Sequence, residues 1–218
     1  MPKLLEVFSG TGSVGKVARE MGWEVVSMDI CPKYNPTFCR DVLEFDFSIW
    51  PRGHFDMIWA SPPCTLYSVA SNNTRPEEGN VLTRRCLEII ESLSPKWFAI
   101  ENPSSSSIWK QGIFDHIPKK FVSYCMYSDW GYRKNTTIAT NINFEPKICK
   151  GQCGYVREVV GGDGKKHKYH LAVAKQGISA HCRGLGVQHF THKRDELYRV
   201  PALLVKDILE AIPPLSQS

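Results

Sequence analysis

Short apolar runs that alternate with helical patterns constrain the fold of this chain more than any other feature of its sequence. Four runs have the length and composition of buried strands: residues 4–8, 23–28, 55–60 and 97–100. Apolar residues recur at helical spacing over residues 14–21 and again over residues 82–93. Because strands that alternate with helices form parallel sheets covered on both faces, we expect an α/β fold with a doubly wound, mostly parallel sheet.

The rest of the chain predicts an edge pair of strands, a small lobe and a closing helix. Residues 121–126 and 136–140 have strand character, and their close spacing favours an antiparallel pair. Glycines then interrupt any regular spacing of apolar residues, so residues 142–193 predict a small loop-rich lobe. Residues 194–218 predict a helix that returns to the main body, which is formed by residues 1–141.

Positive charge is concentrated in the predicted lobe. The formal net charge of the chain is +5, from 27 Lys and Arg residues against 22 Asp and Glu residues. Residues 142–199 contain 11 basic and 5 acidic residues, whereas the rest of the chain contains 16 and 17. A basic segment attached to a neutral body is typical of a protein that binds a polyanion. The alternative is a solvated loop region whose lysines only maintain solubility.

Size and composition favour one intracellular domain with a small appendage. The 218 residues are 42% hydrophobic, which is enough for one filled core. No apolar run approaches the roughly 20 residues of a membrane span, and the opening residues 1–5 are too few for a signal peptide. We expect a monomeric protein of the cytoplasm or nucleus, with no membrane partner, whose eight cysteines are reduced.

Cys64 is the strongest candidate nucleophile in the sequence. It follows Ser61-Pro62-Pro63 directly after the apolar run 55–60. Ligands of parallel α/β sheets bind at the carboxyl ends of the strands, and the two prolines restrict the backbone that carries the thiol. The alternative is an unreactive cysteine that serves as a small hydrophobic residue in a βα loop.

A glycine-rich turn and an acidic residue predict a nucleoside-containing cofactor. Gly10, Gly12 and Gly15 follow the first strand, and Asp29 ends the second strand 19 positions after Gly10. Glycine lets the backbone approach a ligand closely, and a carboxylate at this position can bind ribose hydroxyls. The spacing suits a nicotinamide dinucleotide or S-adenosylmethionine. A glycine turn that binds no cofactor is the third interpretation.

Glu101 is a second candidate catalytic residue, because it ends the strand 97–100 and is followed by Asn102 and Pro103. If this strand neighbours the strand before Cys64, the carboxyl group faces the thiol across one crevice. A thiol that adds to a ring carbon and an acid that protonates a ring nitrogen would together activate a pyrimidine. Otherwise Glu101 is a cap or the partner of a nearby cation.

Five ordered motifs resemble those of the cytosine-C5 DNA methyltransferases, in particular the small phage-type or viral members. They are Phe8-Ser9-Gly10-Thr11-Gly12, Asp29, Asp41-Val42, Pro62-Pro63-Cys64 and Glu101-Asn102. Tyr198-Arg199-Val200-Pro201 resembles the last family motif, which returns to the cofactor pocket. The resemblance implies a Rossmann-like enzyme that uses S-adenosylmethionine to methylate C5 of cytosine in double-stranded DNA. A nicotinamide dehydrogenase would leave the motifs at Cys64 and Glu101 unexplained.

The resemblance also implies roles for individual residues. Cys64 would attack C6 of a cytosine flipped out of the duplex, while Glu101 would bind and protonate N3, with Asn102 beside it on the substrate. Asp29 would bind the ribose of the cofactor, and Asp41 its adenine amino group. The rest of the cofactor pocket would consist of Phe8, Ser9, Gly10, Gly12, Ser13, Ile30, Val42 and Pro63.

The sequence departs from the family pattern in two places. The arginines of the family's Gln-x-Arg-x-Arg motif are replaced by Asn135 and Thr137, which leaves Arg133 or Lys134 to bind the substrate in their place. The region that reads the target sequence is also short, so we expect a short target. The alternatives are an RNA cytosine-C5 methyltransferase of the same family and a DNA-binding member with weak activity.

Cys149 and Cys153 give a weaker indication of a metal site. With His170, His181 or Cys182 downstream, they could supply four ligands to a zinc ion that stabilises a lobe too small for its own core. The spacing is loose, however, and the sequence alone favours reduced surface thiols as the interpretation of Cys149 and Cys153.

Overall fold

The computed structural model describes residues 1–67, 74–130, 132–160, 164–170, 172–173 and 197–214. The strands in this part of the chain are β1 (Lys3–Val7), β2 (Glu24–Asp29), β3 (Phe38–Cys39), β4 (Met57–Ala60), β5 (Trp97–Pro103), β6 (Lys119–Ser123), β7 (Tyr132–Arg133), β8 (Asn135–Thr140), β9 (Val156–Val160), β10 (Lys166–His170) and β11 (Ala172–Val173). The α-helices in the same part are α1 (Ser13–Glu20), α2 (Pro76–Leu93) and α3 (Ala202–Glu210). Among the described residues, no helix is both long and apolar enough to cross a membrane.

Seven strands form one sheet in the order β3-β2-β1-β4-β5-β8-β6. The pairs from β3 to β5 are parallel, whereas β8 is antiparallel to both β5 and β6. The strand order reverses at β1, because β2 and β3 lie on one side of it while β4 and β5 lie on the other. Ligands of such sheets bind at this reversal, beyond the carboxyl ends of the strands. The predicted doubly wound, mostly parallel sheet is confirmed.

Alternate residues of the central strands face two separate hydrophobic cores. Met57 and Trp59 of β4 pack on the face that carries α1 and α3, whereas Ile58 and Ala60 pack on the face that carries α2. Successive side chains of a strand point to opposite faces, so a strand covered on both faces is a continuous apolar run. This burial explains why the strand before Cys64 can be recognised from sequence.

Glu6 is a carboxylic acid inside a buried strand, and it ties β1 to the beginning of α1. Its Oε2 accepts a hydrogen bond of 2.9 Å from the backbone N–H of Gly15. A Cβ atom at position 15 would lie 2.5 Å from the same oxygen, so glycine is required for this approach. Burial raises the pKa of Glu6 to about 7, although the Gly15 N–H group favours the charged form.

The segment after β8 contains regular structure that the sequence did not predict. Ile142 and Phe144 still belong to the hydrophobic core on the face that carries α1 and α3. Beyond them, β9 and β10 form an antiparallel hairpin, and β11 pairs in parallel with β7. Glycines flank these strands, and charged residues interrupt the alternation of apolar and polar residues. The local sequence pattern that predicts a strand is therefore missing. The domain limits at residues 141 and 193 stay predictions.

Candidate active site

Cys64 lies in the loop that follows β4, at the carboxyl edge of the sheet. Pro62 and Pro63 carry the chain out of the strand, and a 3-10 helix, Cys64–Tyr67, begins at the partly exposed cysteine. The Nδ2 atom of Asn102 donates a hydrogen bond of 2.8 Å to the carbonyl oxygen of Pro62. Because Asn102 belongs to β5, the cysteine loop is attached to the neighbouring strand.

Glu101 lies beside Asn102 in β5, and two side chains from other elements hold its buried carboxyl group. The Tyr124 hydroxyl donates a hydrogen bond of 2.7 Å to Oε1 of Glu101. The Nζ atom of Lys134 lies 3.7 Å from the same oxygen and 4.7 Å from the centre of the Tyr124 ring. Since both groups approach Oε1, they fix the orientation of the carboxyl group.

Burial dominates the electrostatics of the Cys64 thiol. It raises the pKa of Cys64, while the Lys134 ammonium lowers that pKa and the Glu101 carboxylate raises it. The net effect is a pKa above the usual value, so the resting group is a thiol. The thiolate is the nucleophilic form of cysteine, and Lys134 is positioned to stabilise it.

A cavity of about 390 Å³ lies at the carboxyl ends of the central strands. Its volume is in the range of small-molecule sites. Most of the sequence-predicted residues line it, namely Phe8, Ser9, Gly10, Ser13, Asp29, Ile30, Asp41, Val42, Pro63, Cys64, Glu101, Asn102 and Lys134. Gly12 lies outside the lining and precedes α1 with a φ of +66°. Arg133 is exposed on β7 and is also outside the lining.

Two aspartates project into the part of the cavity near the glycine-rich turn. Asp29 accepts hydrogen bonds of 2.8 Å from the backbone N–H groups of Gly10 and Cys31, one on each carboxylate oxygen. Asp41 accepts a hydrogen bond of 2.9 Å from the N–H of Leu43 through Oδ1. Both carboxylates are therefore held in place by local backbone, with lone pairs remaining for a ligand.

The chain segment before α3 returns to the same cavity. The backbone N–H of Val200 donates a hydrogen bond of 3.0 Å to Oγ of Ser13, and Tyr198 and Val200 line the cavity. Arg199 lies between them in sequence, and its guanidinium group is 4.4 Å from the centre of the Trp130 ring. The segment that resembles the last family motif thus contacts Ser13, which directly follows the first motif.

Lys134 lines the cavity next to the positions at which the resemblance predicts arginines. Asn135 and Thr137, which the resemblance assigns to those positions, hydrogen-bond to Ser123 at 3.0 Å and to Ser104 at 2.9 Å. These short side chains contribute to the β8 region of the sheet rather than reaching a ligand. Of the two sequence candidates for the missing charge, Lys134 lines the cavity and Arg133 does not.

Tyr124, which sequence reasoning did not single out, contacts the candidate acid Glu101. It belongs to a run that reads as an ordinary strand, and its contact with Glu101 spans 23 positions. Nothing local distinguishes a buried tyrosine that positions a carboxylate from one that only fills a core. Tyr124 is outside the cavity lining, whereas Glu6, Tyr34, Arg40 and Leu82 belong to it without having been predicted. For Glu6 there was a signal, because an acid interrupts an apolar run.

A second group of reactive side chains lies outside this cavity. Cys149 and Cys153 converge with His170 and with Cys125, and their ligand atoms all lie within 4.8 Å of one another. The sequence had not grouped Cys125 with the others. His181 and Cys182, the other candidates from sequence, fall outside the described residues.

Comparisons with known proteins agree with the geometry. Residues 7–170 match the family of C-5 cytosine-specific DNA methylases. A protein of Frog virus 3 (isolate Goorha), named "Probable DNA (cytosine-5)-methyltransferase", is 40% identical to this chain over an alignment of 229 positions. The alignment covers 95% of this chain and 99% of the viral protein. A solved structure assigned as a prophage-encoded DNA modification methyltransferase (E. coli) shares the fold, with a TM-score of 0.53 and 16% identity. The match covers 69% of this chain and 52% of the prophage-encoded protein, so this chain spans about half the length of that protein. The chain therefore belongs to the C-5 cytosine-specific DNA methylases, a family of methyltransferases.

Proposed function

We propose that this protein transfers a methyl group from S-adenosylmethionine to C5 of cytosine in double-stranded DNA. The observation that supports this most strongly is the convergence of Cys64 and Glu101 on one cavity from the ends of adjacent parallel strands. A thiol and a carboxyl group in this arrangement can act on two positions of one flat ring at the same time. Family membership favours cytosine as that ring.

Cys64 is the proposed nucleophile and Glu101 the proposed acid. The Cys64 thiol loses its proton to solvent and its sulfur bonds to C6, while Glu101 protonates N3. The electrons of the C5–C6 double bond shift to C4–C5, so that C5 becomes nucleophilic. After methylation, C5 loses its proton to solvent, and the electron pair of that C–H bond re-forms the C5–C6 double bond as the bond from sulfur to C6 breaks. The electron pair of the broken bond returns to Cys64, and the N3 proton returns to Glu101.

The residues near the glycine-rich turn fit S-adenosylmethionine, which supplies an electrophilic methyl group when bound. Gly10 has a φ of +48°, and a Cβ atom there would meet no described atom within 4 Å, so the backbone borders open space. Asp29 offers its remaining lone pairs to ribose hydroxyls, and Asp41 offers Oδ2 to an amino group. Pro63 and Phe8 contribute apolar surface to the cavity lining.

Lys134 is the proposed replacement for the missing family arginines. Its ammonium group opposes the effect of burial on the Cys64 thiol and pairs with Glu101 at 3.7 Å. It also donates a hydrogen bond of 3.3 Å to the carbonyl oxygen of Leu197, which holds it over the cavity. A single cation in this place can stabilise the thiolate before attack and orient the acid during it.

The β9–β10 hairpin is the proposed DNA-binding surface. Lys165, Lys166 and Lys168 are exposed on it, although Lys166 also pairs with Glu158 at 2.9 Å. Contacts from such lysines to phosphates supply affinity without reading sequence. Few base-edge contacts fit a lobe of this size, so we propose a short target. Because C6 is hidden within the duplex stack, the target cytosine must also be flipped out, at a cost of a few kcal/mol.

The test is a transfer assay with radiolabelled S-adenosylmethionine and separate pools of DNA and RNA, followed by nucleoside analysis. Wild-type protein should label 5-methylcytosine in DNA. Cys64→Ser should give no label while keeping its affinity for S-adenosylmethionine, because the thiol acts only on the base. Cys39→Ser is the matched control, since Cys39 is exposed and outside the cavity lining.

Trapping of the covalent intermediate provides an independent readout. In the presence of S-adenosylmethionine, DNA with 5-fluorocytosine should form a stable adduct with wild-type protein and with Cys39→Ser, but not with Cys64→Ser. After methylation, fluorine at C5 cannot leave as a proton does, so the bond from sulfur to C6 persists. Label found only in RNA would show that the substrate is RNA and not DNA. Turnover by Cys64→Ser would refute the nucleophile, and DNA binding without any label would identify a member that lacks the activity.

A further inference from the structure

We propose that Cys125, Cys149, Cys153 and His170 bind a structural zinc ion. The four residues come from three parts of the chain: the 3-10 turn after β6, the loop before β9, and the end of β10. Three thiolates and one imidazole form a common ligand set of structural zinc sites. The proposal does not depend on the proposed methyl transfer, because it rests on these side chains alone.

The distances fit tetrahedral zinc. The Nε2 atom of His170 lies 3.4 Å from the sulfur of Cys125, 3.6 Å from that of Cys149 and 3.3 Å from that of Cys153. Zinc bonds of about 2.3 Å to sulfur and about 2.0 Å to nitrogen, at tetrahedral angles, separate these two kinds of ligand by about 3.5 Å. One metal position can therefore satisfy all four ligand atoms.

A disulfide explains the cluster less well. It would pair two of the three sulfurs and leave the third beside an imidazole without a function. The observed arrangement is instead nearly symmetric, because each sulfur lies at a similar distance from one nitrogen, and the sulfurs lie within 4.8 Å of one another. Convergence of three sulfurs and a nitrogen on one point is typical of a metal centre.

The loop between two of the ligands has the form of a zinc-binding turn. The backbone N–H of Gly151 lies 3.4 Å from the sulfur of Cys149, as a donor to it. Gly151 and Gly154 have φ values of +105° and +81°, which glycine tolerates without strain. The N–H of Cys149 donates a hydrogen bond of 3.1 Å to Oγ of Ser123, so the loop is also anchored to β6. Such contacts orient ligands and stabilise thiolate charge.

The position of the cluster gives the metal a function in the fold. Between residues 151 and 170, none of the side chains whose burial is described is buried, so that part of the hairpin contributes no apolar core. A metal can supply the free energy that such a small segment lacks. Cys125 is also adjacent to Tyr124, which holds Glu101. The ion would therefore connect the basic hairpin to the element that positions the candidate acid.

The test is the metal content of the full chain, purified without a polyhistidine tag or chelator. Elemental analysis should find about one zinc ion per chain in wild-type protein. Cys153→Ser should lose most of this zinc, whereas Cys39→Ser, a matched change at an exposed cysteine outside the cluster, should keep it. A spectroscopic measurement on wild-type protein avoids the question of whether a variant folds. Exchange with Co²⁺ should give the intense visible bands of a tetrahedral site and sulfur-to-cobalt charge transfer.

Each outcome decides the proposal. Zinc in wild-type protein, its loss in Cys153→Ser and a tetrahedral, thiolate-bound cobalt spectrum would establish the site. Wild-type protein that holds no zinc, even after incubation with Zn²⁺, would overturn it. Zinc retained in full by Cys153→Ser would also overturn it. Because neither measurement uses methyl transfer, an inactive enzyme would refute the proposed function without affecting the metal site.

Discussion

The buried carboxyl group of Glu6 should make the stability of the protein depend on pH between 4.5 and about 7. Its pKa is raised to about 7 in the folded protein by burial, against 4.5 without that burial. A raised pKa means that the protonated form stabilises the fold. The contribution is therefore fully present below pH 4.5 and declines as pH rises, until it is lost once pH passes about 7. At about 1.4 kcal/mol per pKa unit, the loss amounts to about 3 kcal/mol.

The comparison that isolates this effect is urea denaturation of wild-type protein and Glu6→Gln between pH 4.5 and 8. The amide keeps an acceptor for the Gly15 N–H but does not ionise. The difference in unfolding free energy between the two proteins should change by about 3 kcal/mol across this range, in favour of the variant at high pH. Glu20→Gln, at an exposed position of α1, is the control and should show no such trend. A constant difference between wild type and Glu6→Gln would refute the reasoning.

Three further predictions follow from other contacts. Gly79→Ala should destabilise the protein by about 1–3 kcal/mol in thermal denaturation, because the new Cβ would lie 2.6 Å from the buried Tyr67 ring, while Val81→Ala on the exposed side of α2 should have little effect. Tyr124→Phe should lower kcat about tenfold without changing KM for DNA, since it removes one hydrogen bond to the Glu101 carboxyl; an effect on KM alone would contradict this role. Alanine at three hairpin lysines should reduce the slope of log binding constant against log salt by up to about 2.7, and the same change at three exposed lysines elsewhere should not. The hairpin set is Lys165, Lys166 and Lys168, and the control set is Lys16, Lys110 and Lys206.

The sheet and the main site residues could be predicted because their signals are local. Residues 55–60 are apolar because the strand is buried on both faces, and Cys64 follows that strand directly. Parallel strands all end at one edge of a sheet, so the residues that follow them must converge there. This geometric necessity is why Asp29, Cys64 and Glu101, far apart in sequence, could be assigned to one cavity before its shape was known.

Other parts of the candidate site and the thiol cluster depend on contacts between residues far apart in sequence, which no local spacing of residue types predicts. Tyr124 reaches Glu101 across 23 positions, and Cys125 meets His170 across 45. A buried tyrosine or cysteine looks the same in sequence whether it fills a core or serves a site, because its neighbours along the chain do not reveal its neighbours in space. The choice of Lys134 over Arg133 was decided in the same way, since the two are adjacent in sequence but only Lys134 lines the cavity. The strand positions and their burial could thus be predicted from local chemistry. The strand order, the positioning residues and the thiol cluster were decided by tertiary packing, which alone brings distant segments within hydrogen-bonding distance.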